Sequence, residues 1–515
     1  MPAYIYIQKV IVSLTLGGLQ IADFGACISV SGASRRGGAH HRGKREPNGP
    51  ASQGALKDRR ETEERVIKKA KGLSRRQIVR GGAGSLLVPF SLKSGKAVAQ
   101  GGRKPFDGVT LNISCWSGTY PKLIADYLPE FTEQTGIKVN YDTPGFPVYN
   151  QRADLELSTK GSGFDVLNVT FIYTSRWIGA GWLTPLDPYI KDPSKTPADF
   201  EFADFLEGSV QPLRSRTGEI FGIPWISDVQ IAAASRFDLF KTNGLVMPDT
   251  FEDLERVTKL LHKKDNVSAF LYENHWGWTF IPFLQGFGGN VFRNPPDDLM
   301  PTFDTPEAVE AAEFFARMVN SYGPEAATGY TYDQVTEALR AGRVNYSMHN
   351  HAYCALLGTD GSSVVKTSNF SLVPKGPKGR FPGIASHGWG IPVGAKNKDA
   401  SWEFIKWSLS KGLLLRMVEK NGLGSVTRKS VIDSDVYKKQ MVINGVDTGQ
   451  ILLDTIAMSK QGHMAYRTVH VYPQANAQIN QAFSRVVSGQ MKAKESFALA
   501  QTNTIADFKR AGVKL

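Results

Sequence analysis

Val109-Thr110-Leu111-Asn112-Ile113-Ser114-Cys115-Trp116, followed by Ser117-Gly118, opens the stretch whose pattern decides the fold. It reads as a buried strand running into a turn. Ile124, Leu128 and Phe131 then recur at spacings of four and three, which predicts a helix, and Gly136 stops it. Residues 137–141 alternate as a strand, residues 151–160 read as helix, and residues 164–169 form the next strand. Strand, helix, strand, helix, strand predicts a largely parallel sheet covered by helices.

The same alternation continues downstream. Thr250 is the expected N-cap of a helix over 251–261, and Thr305-Pro306-Glu307 opens another through Ala308, Ala312, Phe315 and Val319. Residues 334–341 predict a helix and 344–348 a strand. Residues 370–374 and 388–392 predict short connecting strands. Helices are expected at 401–409 and 413–419, and the C-terminal third is mostly helical.

Hydrophobic residues are 41% of the 515, enough to bury a large core in two or three domains. The net charge of +13 could suggest nucleic acid, but its distribution argues against that. Residues 1–99 carry 18 of the 61 basic and 6 of the 48 acidic side chains, so the remainder is almost neutral. No basic face or nucleic-acid motif is left. None of Cys27, Cys115 and Cys354 sits in a C-x-x-C pair. Cys115 and Cys354 are open to two readings, one disulfide or two buried thiols.

Ser74-Arg75-Arg76-Gln77-Ile78-Val79-Arg80, an apolar stretch through Leu86-Leu87-Val88-Pro89-Phe90, and Ala97-Val98-Ala99 follow one another in the order of an export signal. They resemble a twin-arginine (Tat) signal over 66–99. Residues 1–65, rich in Arg, Gly and Glu without apolar periodicity, are expected to be a disordered or mis-called extension. No run of about 18 apolar residues follows residue 100, so the mature chain is expected to be periplasmic.

Four passages carry a resemblance to a known family. They are Phe164-Asp165-Val166 with Gly181-Trp182-Leu183-Thr184-Pro185-Leu186-Asp187; Gly222-Ile223-Pro224-Trp225 with Asp238-Leu239-Phe240 and Pro248-Asp249-Thr250-Phe251; Leu339-Arg340-Ala341-Gly342 through Met348; and Gly388-Trp389-Gly390-Ile391-Pro392 with Trp402-Glu403-Phe404-Ile405. In this order they resemble the family 1 extracellular solute-binding proteins of ABC importers, which include maltose- and oligosaccharide-binding proteins. Ser235-Arg236 departs from the family's Tyr-Asn or Tyr-Arg before the Asp-Leu-Phe run.

The resemblance implies a type II periplasmic-binding-protein fold, two α/β lobes joined by a hinge. Lobe 1 would be 101–223 plus 384–430, and lobe 2 would be 224–383 plus 431–515, with crossings near Ile223-Pro224 and Ile384-Ala385. It further implies a small solute held between the lobes, a monomer, an ABC permease in the inner membrane as partner, and no cofactor. A sugar-type ligand needs flat aromatic faces beside hydrogen-bonding groups. Such residues stand where strands should end: Trp116 and Ser117; Asn168, Thr170 and Phe171; Trp225 and Asp228; His349, Asn350 and Tyr353; His387 and Trp389. Trp278 and Arg467 are further candidates. Each also has a plainer reading as core, and Asp228 could simply pair with an arginine.

His349-Asn350-His351 could chelate a metal only with a third ligand such as His387 and a carboxylate. No nucleotide-loop spacing or catalytic triad motif is present. Three functions stay in view: a carrier for a carbohydrate or polyol, the same fold binding a polyamine or other charged solute, and a Tat-exported periplasmic enzyme. The few acids at the candidate loops favour a neutral ligand.

Overall fold

The computed structural model describes residues 104–515, which lie in a unit spanning Val98–Leu515. The expected export signal and the extension before it fall outside the described residues. The main sheet has eight strands: β1 (Thr110–Ser114), β2 (Lys138–Asp142), β3 (Val166–Val169), β4 (Ile223–Ala234), β5 (Ser268–Phe270), β6 (Val344–Asn350), β7 (Asn369–Ser371) and β8 (Ile384–Gly390). Their spatial order is β2-β1-β3-β8-β4-β6-β5, with β7 beside β4.

β1 is parallel to β2 and β3. The crossover between β1 and β2 is α1 (Thr119–Thr135), which buries Ile124 and Phe131. Gly136 ends it in the left-handed region (φ 81°), where its N–H reaches Thr132 O. α2 (Phe146–Ser158) covers the step from β2 to β3. Up to this point the predicted parallel arrangement holds.

It then changes. β8 lies antiparallel to β3, with Gly388 opposite Val169, and also antiparallel to β4. β4 exchanges neighbours midway: Val229 pairs with Ile384 of β8, and Gln230 with Asn350 of β6. One twelve-residue strand, buried throughout, therefore belongs to both halves of the sheet. Ser227, Asp228 and Gln230 interrupt its apolar run, so no period-2 signal marks it as a strand. The strand expected at 388–392 begins earlier, at Ile384.

Several helices sit as predicted. α3 (Phe251–Leu261) buries Phe251, Leu254, Val257, Thr258 and Leu261, and Thr250 Oγ1 accepts from the Asp253 N–H at 3.0 Å. That cap is worth about 1 kcal/mol. α4 (Pro306–Tyr322) is capped by Thr305, and α5 (Tyr332–Arg340) by a Thr331/Gln334 capping box. Cys115 and Cys354 are both buried free thiols, so the disulfide reading is not realised. Trp402 is core, whereas Trp182 and Trp407 are half-buried against it.

Candidate functional site

The strand ends of the two halves meet at a small cavity, as expected where open α/β sheets leave a crevice. Trp116 follows β1, Phe146 opens α2, Phe171 follows β3, Ile226 and Asp228 lie in β4, and His387 lies in β8. From the other side come Glu273 and His275 after β5, Trp278 in the short helix Trp276–Thr279, Tyr332 opening α5, Asn350 ending β6, and Tyr353. The free space within it is about 30 Å³, room for roughly two waters.

Rings from opposite sides touch directly. Phe146 and His275 have centroids 5.3 Å apart, and Phe171 and Trp278 5.1 Å apart. Ser175 Oγ donates to Arg467 O at 3.0 Å, and the Tyr332 hydroxyl donates to Ser117 O. Gly118 permits this approach: a Cβ there would stand 2.9 Å from the Tyr353 hydroxyl and 3.3 Å from Trp116 Nε1. The two sides are closed on each other.

The polar groups form oriented chains. Indole N–H is donor-only, which fixes the neighbouring amides. Trp278 Nε1 donates to Asn350 Oδ1 at 3.0 Å, so Asn350 Nδ2 donates to Asp228 Oδ2 at 3.0 Å. Trp225 Nε1 donates to Asn168 Oδ1 at 2.8 Å, so Asn168 Nδ2 donates to His387 Nδ1 at 3.3 Å. His387 must then carry its proton on Nε2, which faces Asp228 Oδ2 at 3.7 Å. Asp228 Oδ1 stays buried and without a partner.

Beside the cavity, the Arg467 guanidinium lies over Phe171 (4.6 Å) and Trp278 (4.8 Å). Its Nη1 donates to Ile384 O at 2.7 Å, while Nε and Nη2 are buried without acceptors. Burial of such polar atoms is costly unless something pairs with them. Burial pushes His275 down to about 4, with the charges of Arg467 and His387 adding to it. Burial, then the Asp228 and Asp333 charges, holds Glu273 well above the usual carboxylate range.

Of the residues singled out from sequence, Trp116, Phe171, Asp228, Trp278, Asn350, Tyr353 and His387 line this cavity. Asn168 and Trp225 stand behind it in the hydrogen-bond chain. Trp389 is fully buried and stacks on Trp225 at 5.3 Å, because both faces of β8 are covered. Trp225 and Trp389 thus back the wall instead of forming its surface. Thr170 donates to Asn150 Oδ1 at 3.0 Å, Ser117 contributes its carbonyl, and His349 lies behind Glu273. His349 and His351 diverge, His349 to Thr336 and His351 to Ser425. Among the described residues, no group of three His, Cys, Asp or Glu is placed to hold a metal.

Sequence reasoning missed Phe146, Ile226, Glu273, His275 and Tyr332. The one available signal was Glu273, an acid closing the apolar run Ala269-Phe270-Leu271-Tyr272. A larger cleft of about 940 Å³ lies elsewhere, bordered by Arg176, Trp182, Arg214, Phe221, Pro296 and His470. Its Arg176 and Arg214 are already paired, with Asp154 and Glu207, while Arg216 makes no ion pair among the described residues. The smaller cavity, lined by Asp228 with its buried, unpartnered Oδ1, is the better candidate.

The family model described as bacterial extracellular solute-binding protein matches residues 117–413. A mannitol-binding protein of Pseudomonas aeruginosa is 24% identical over 395 residues, covering 71% of this chain and 85% of that protein. An erythritol/L-threitol-binding protein of Mycolicibacterium smegmatis is 25% identical over 345 residues, covering 64% and 72%. In structure, an ABC transporter solute-binding protein of Agrobacterium radiobacter K84 in complex with ribitol aligns with a TM-score of 0.71 at 20% identity, covering 78% of this chain and 99% of that one. One from Agrobacterium vitis S4 with bound D-mannitol aligns with a TM-score of 0.70 at 23% identity, covering 78% and 99%. The fold is the two-lobed type II periplasmic-binding-protein fold.

Proposed function

The chain belongs to the bacterial extracellular solute-binding protein family, and from that premise we propose that it captures a polyol or small sugar and delivers it to an ABC importer. The observation that carries this reading is the aromatic-walled cavity at the strand ends, where Asp228 Oδ1 is buried without a partner and Arg467, beside it, leaves Nε and Nη2 unpaired. A polyol supplies hydroxyl hydrogens for the first and hydroxyl oxygens for the others. The named ligands of the relatives, mannitol and erythritol or L-threitol, have this chemistry.

Capture is by closure of the lobes, which we divide as 101–223 with 384–430 and 224–383 with 431–515. The shared strand β4 supports a hinge there, because it is hydrogen-bonded into both halves. A permease that favours the closed form would distinguish loaded from empty protein. The protein works in the periplasm as a monomeric carrier without turnover, and is exported by the twin-arginine route through residues 66–99. The near-neutral charge of residues 100–515 supports the absence of a nucleic-acid partner.

A thermal-shift screen with mannitol, ribitol, erythritol, maltotriose and spermidine tests the reading. At one hundred times Kd a bound ligand adds about 2.7 kcal/mol of stability, so a polyol should raise the Tm clearly. A shift with spermidine alone would overturn the reading.

A further inference from the structure

Resting on the polyol reading above, we propose that the cavity sorts solutes by charge through two unlike carboxyl groups: Glu273 is an uncharged acid whose proton is directed at His349, while Asp228 is the hydrogen-bond acceptor. The site therefore takes neutral polyhydroxy solutes and turns away polyamines.

The proton positions follow from the contacts. Thr336 Oγ1 lies 2.8 Å from Tyr332 O and 2.9 Å from His349 Nε2. A carbonyl has no proton to give, so the single hydroxyl proton of Thr336 sits on the contact with Tyr332. The contact with His349 then needs the imidazole's own proton, on Nε2. Burial keeps this imidazole neutral, pushing it down to about 3, so Nδ1 is a bare lone pair. That atom faces Glu273 Oε2 at 3.6 Å, and both are buried with no other partner. An ionised Oε2 there would set two lone pairs against each other. A protonated Oε2 makes a donor–acceptor pair that a small shift closes to a hydrogen bond.

The surroundings agree. Glu273 is 2% exposed, and among the described residues no Lys or Arg makes an ion pair with it. Burial is the largest cause of its raised value, and the ionisable groups that add to it, Asp228 and Asp333, are both acidic. Asp228 is built the opposite way: Asn350 Nδ2 donates to its Oδ2, and the protonated Nε2 of His387 faces the same atom. The two groups turned on Asp228 Oδ2 are donors, and the group turned on Glu273 Oε2 is an acceptor. One carboxyl therefore accepts from a ligand hydroxyl without a second negative charge to recruit an amine.

The test uses the mature protein at pH 7.5 with infrared difference spectroscopy and calorimetry. A protonated-carboxyl carbonyl band should be present in the ligand-free wild type and lost in Glu273→Gln; its absence from the wild type overturns the proposal. With D-mannitol as probe, Asp228→Asn should weaken binding at least tenfold more than Glu273→Gln, whose amide reproduces an uncharged donor toward His349. Equal losses would overturn it, as would tight binding of spermidine by the wild type. Should Glu273→Gln fail to fold, His349→Phe removes the acceptor and must shift the carboxyl band; an unshifted band contradicts the proposed pairing. If the wild type binds no polyol, the carrier reading fails, while the band still decides the state of Glu273.

Discussion

Acidification should destabilise this protein through its buried imidazoles. His349 is 1% exposed and His351 is fully buried. Burial pushes them down to about 3 and about 4, against about 6.5 in the unfolded chain. With folded values depressed, the unfolded state binds more protons below pH 6.5. Their contribution to stability is therefore present above that pH and lost as pH falls toward 4 and 3. At pH 5.0, about 1.5 units below the unfolded value, each loses about 2 kcal/mol, or about 4 kcal/mol together. His275, also depressed, acts in the same direction. Glu273 acts oppositely: its folded value is raised, so its contribution is present at low pH and lost as pH rises, which offsets part of the loss. Urea unfolding at pH 7.5 and 5.0 measures the difference. We expect lower stability at pH 5.0, with a steeper loss in Glu273→Gln and a shallower one in His351→Asn. Equal or greater wild-type stability at pH 5.0 would refute the reasoning.

Other perturbations have smaller, separable effects. Trp278→Ala removes a cavity wall, the donor that orients Asn350 and a face beneath Arg467, so calorimetry should show polyol binding weakened by about 1–3 kcal/mol; unchanged affinity would remove Trp278 from the site. Trp225→Ala and Trp389→Ala should weaken binding only indirectly and should cost about 3–5 kcal/mol of stability, read by denaturant midpoint, since both indoles are buried behind the wall. Thr250→Ala, at a residue that does not line the cavity, should cost about 1 kcal/mol of stability and leave polyol affinity as it is, because it deletes the cap of α3.

Much of the fold was legible because its signals are local. Ile124, Phe131 and Gly136 mark α1 by spacing and stop, and Thr250 and Thr305 mark two helix starts by side-chain chemistry. The central strand β4 was not legible: it is covered on both faces, so alternation has no physical reason to appear, and Asp228 sits inside it for the sake of the cavity. Half of the candidate site could be read as aromatic or polar residues at strand ends. The rest could not, since Phe146, His275 and Tyr332 reach the cavity through the meeting of distant segments. Trp389 looked the same in sequence as Trp116, yet one is wrapped by core and the other faces the cavity.

The crystal structure of the mature protein with the polyol that most raises its Tm is the direct test. A polyol hydroxyl within hydrogen-bond distance of Asp228 Oδ1, with the polyol chain against the Phe171 and Trp278 rings, is the expected result. A polyol seated instead in the cleft bordered by Arg176 and His470, with the Asp228 cavity unchanged, would contradict the account.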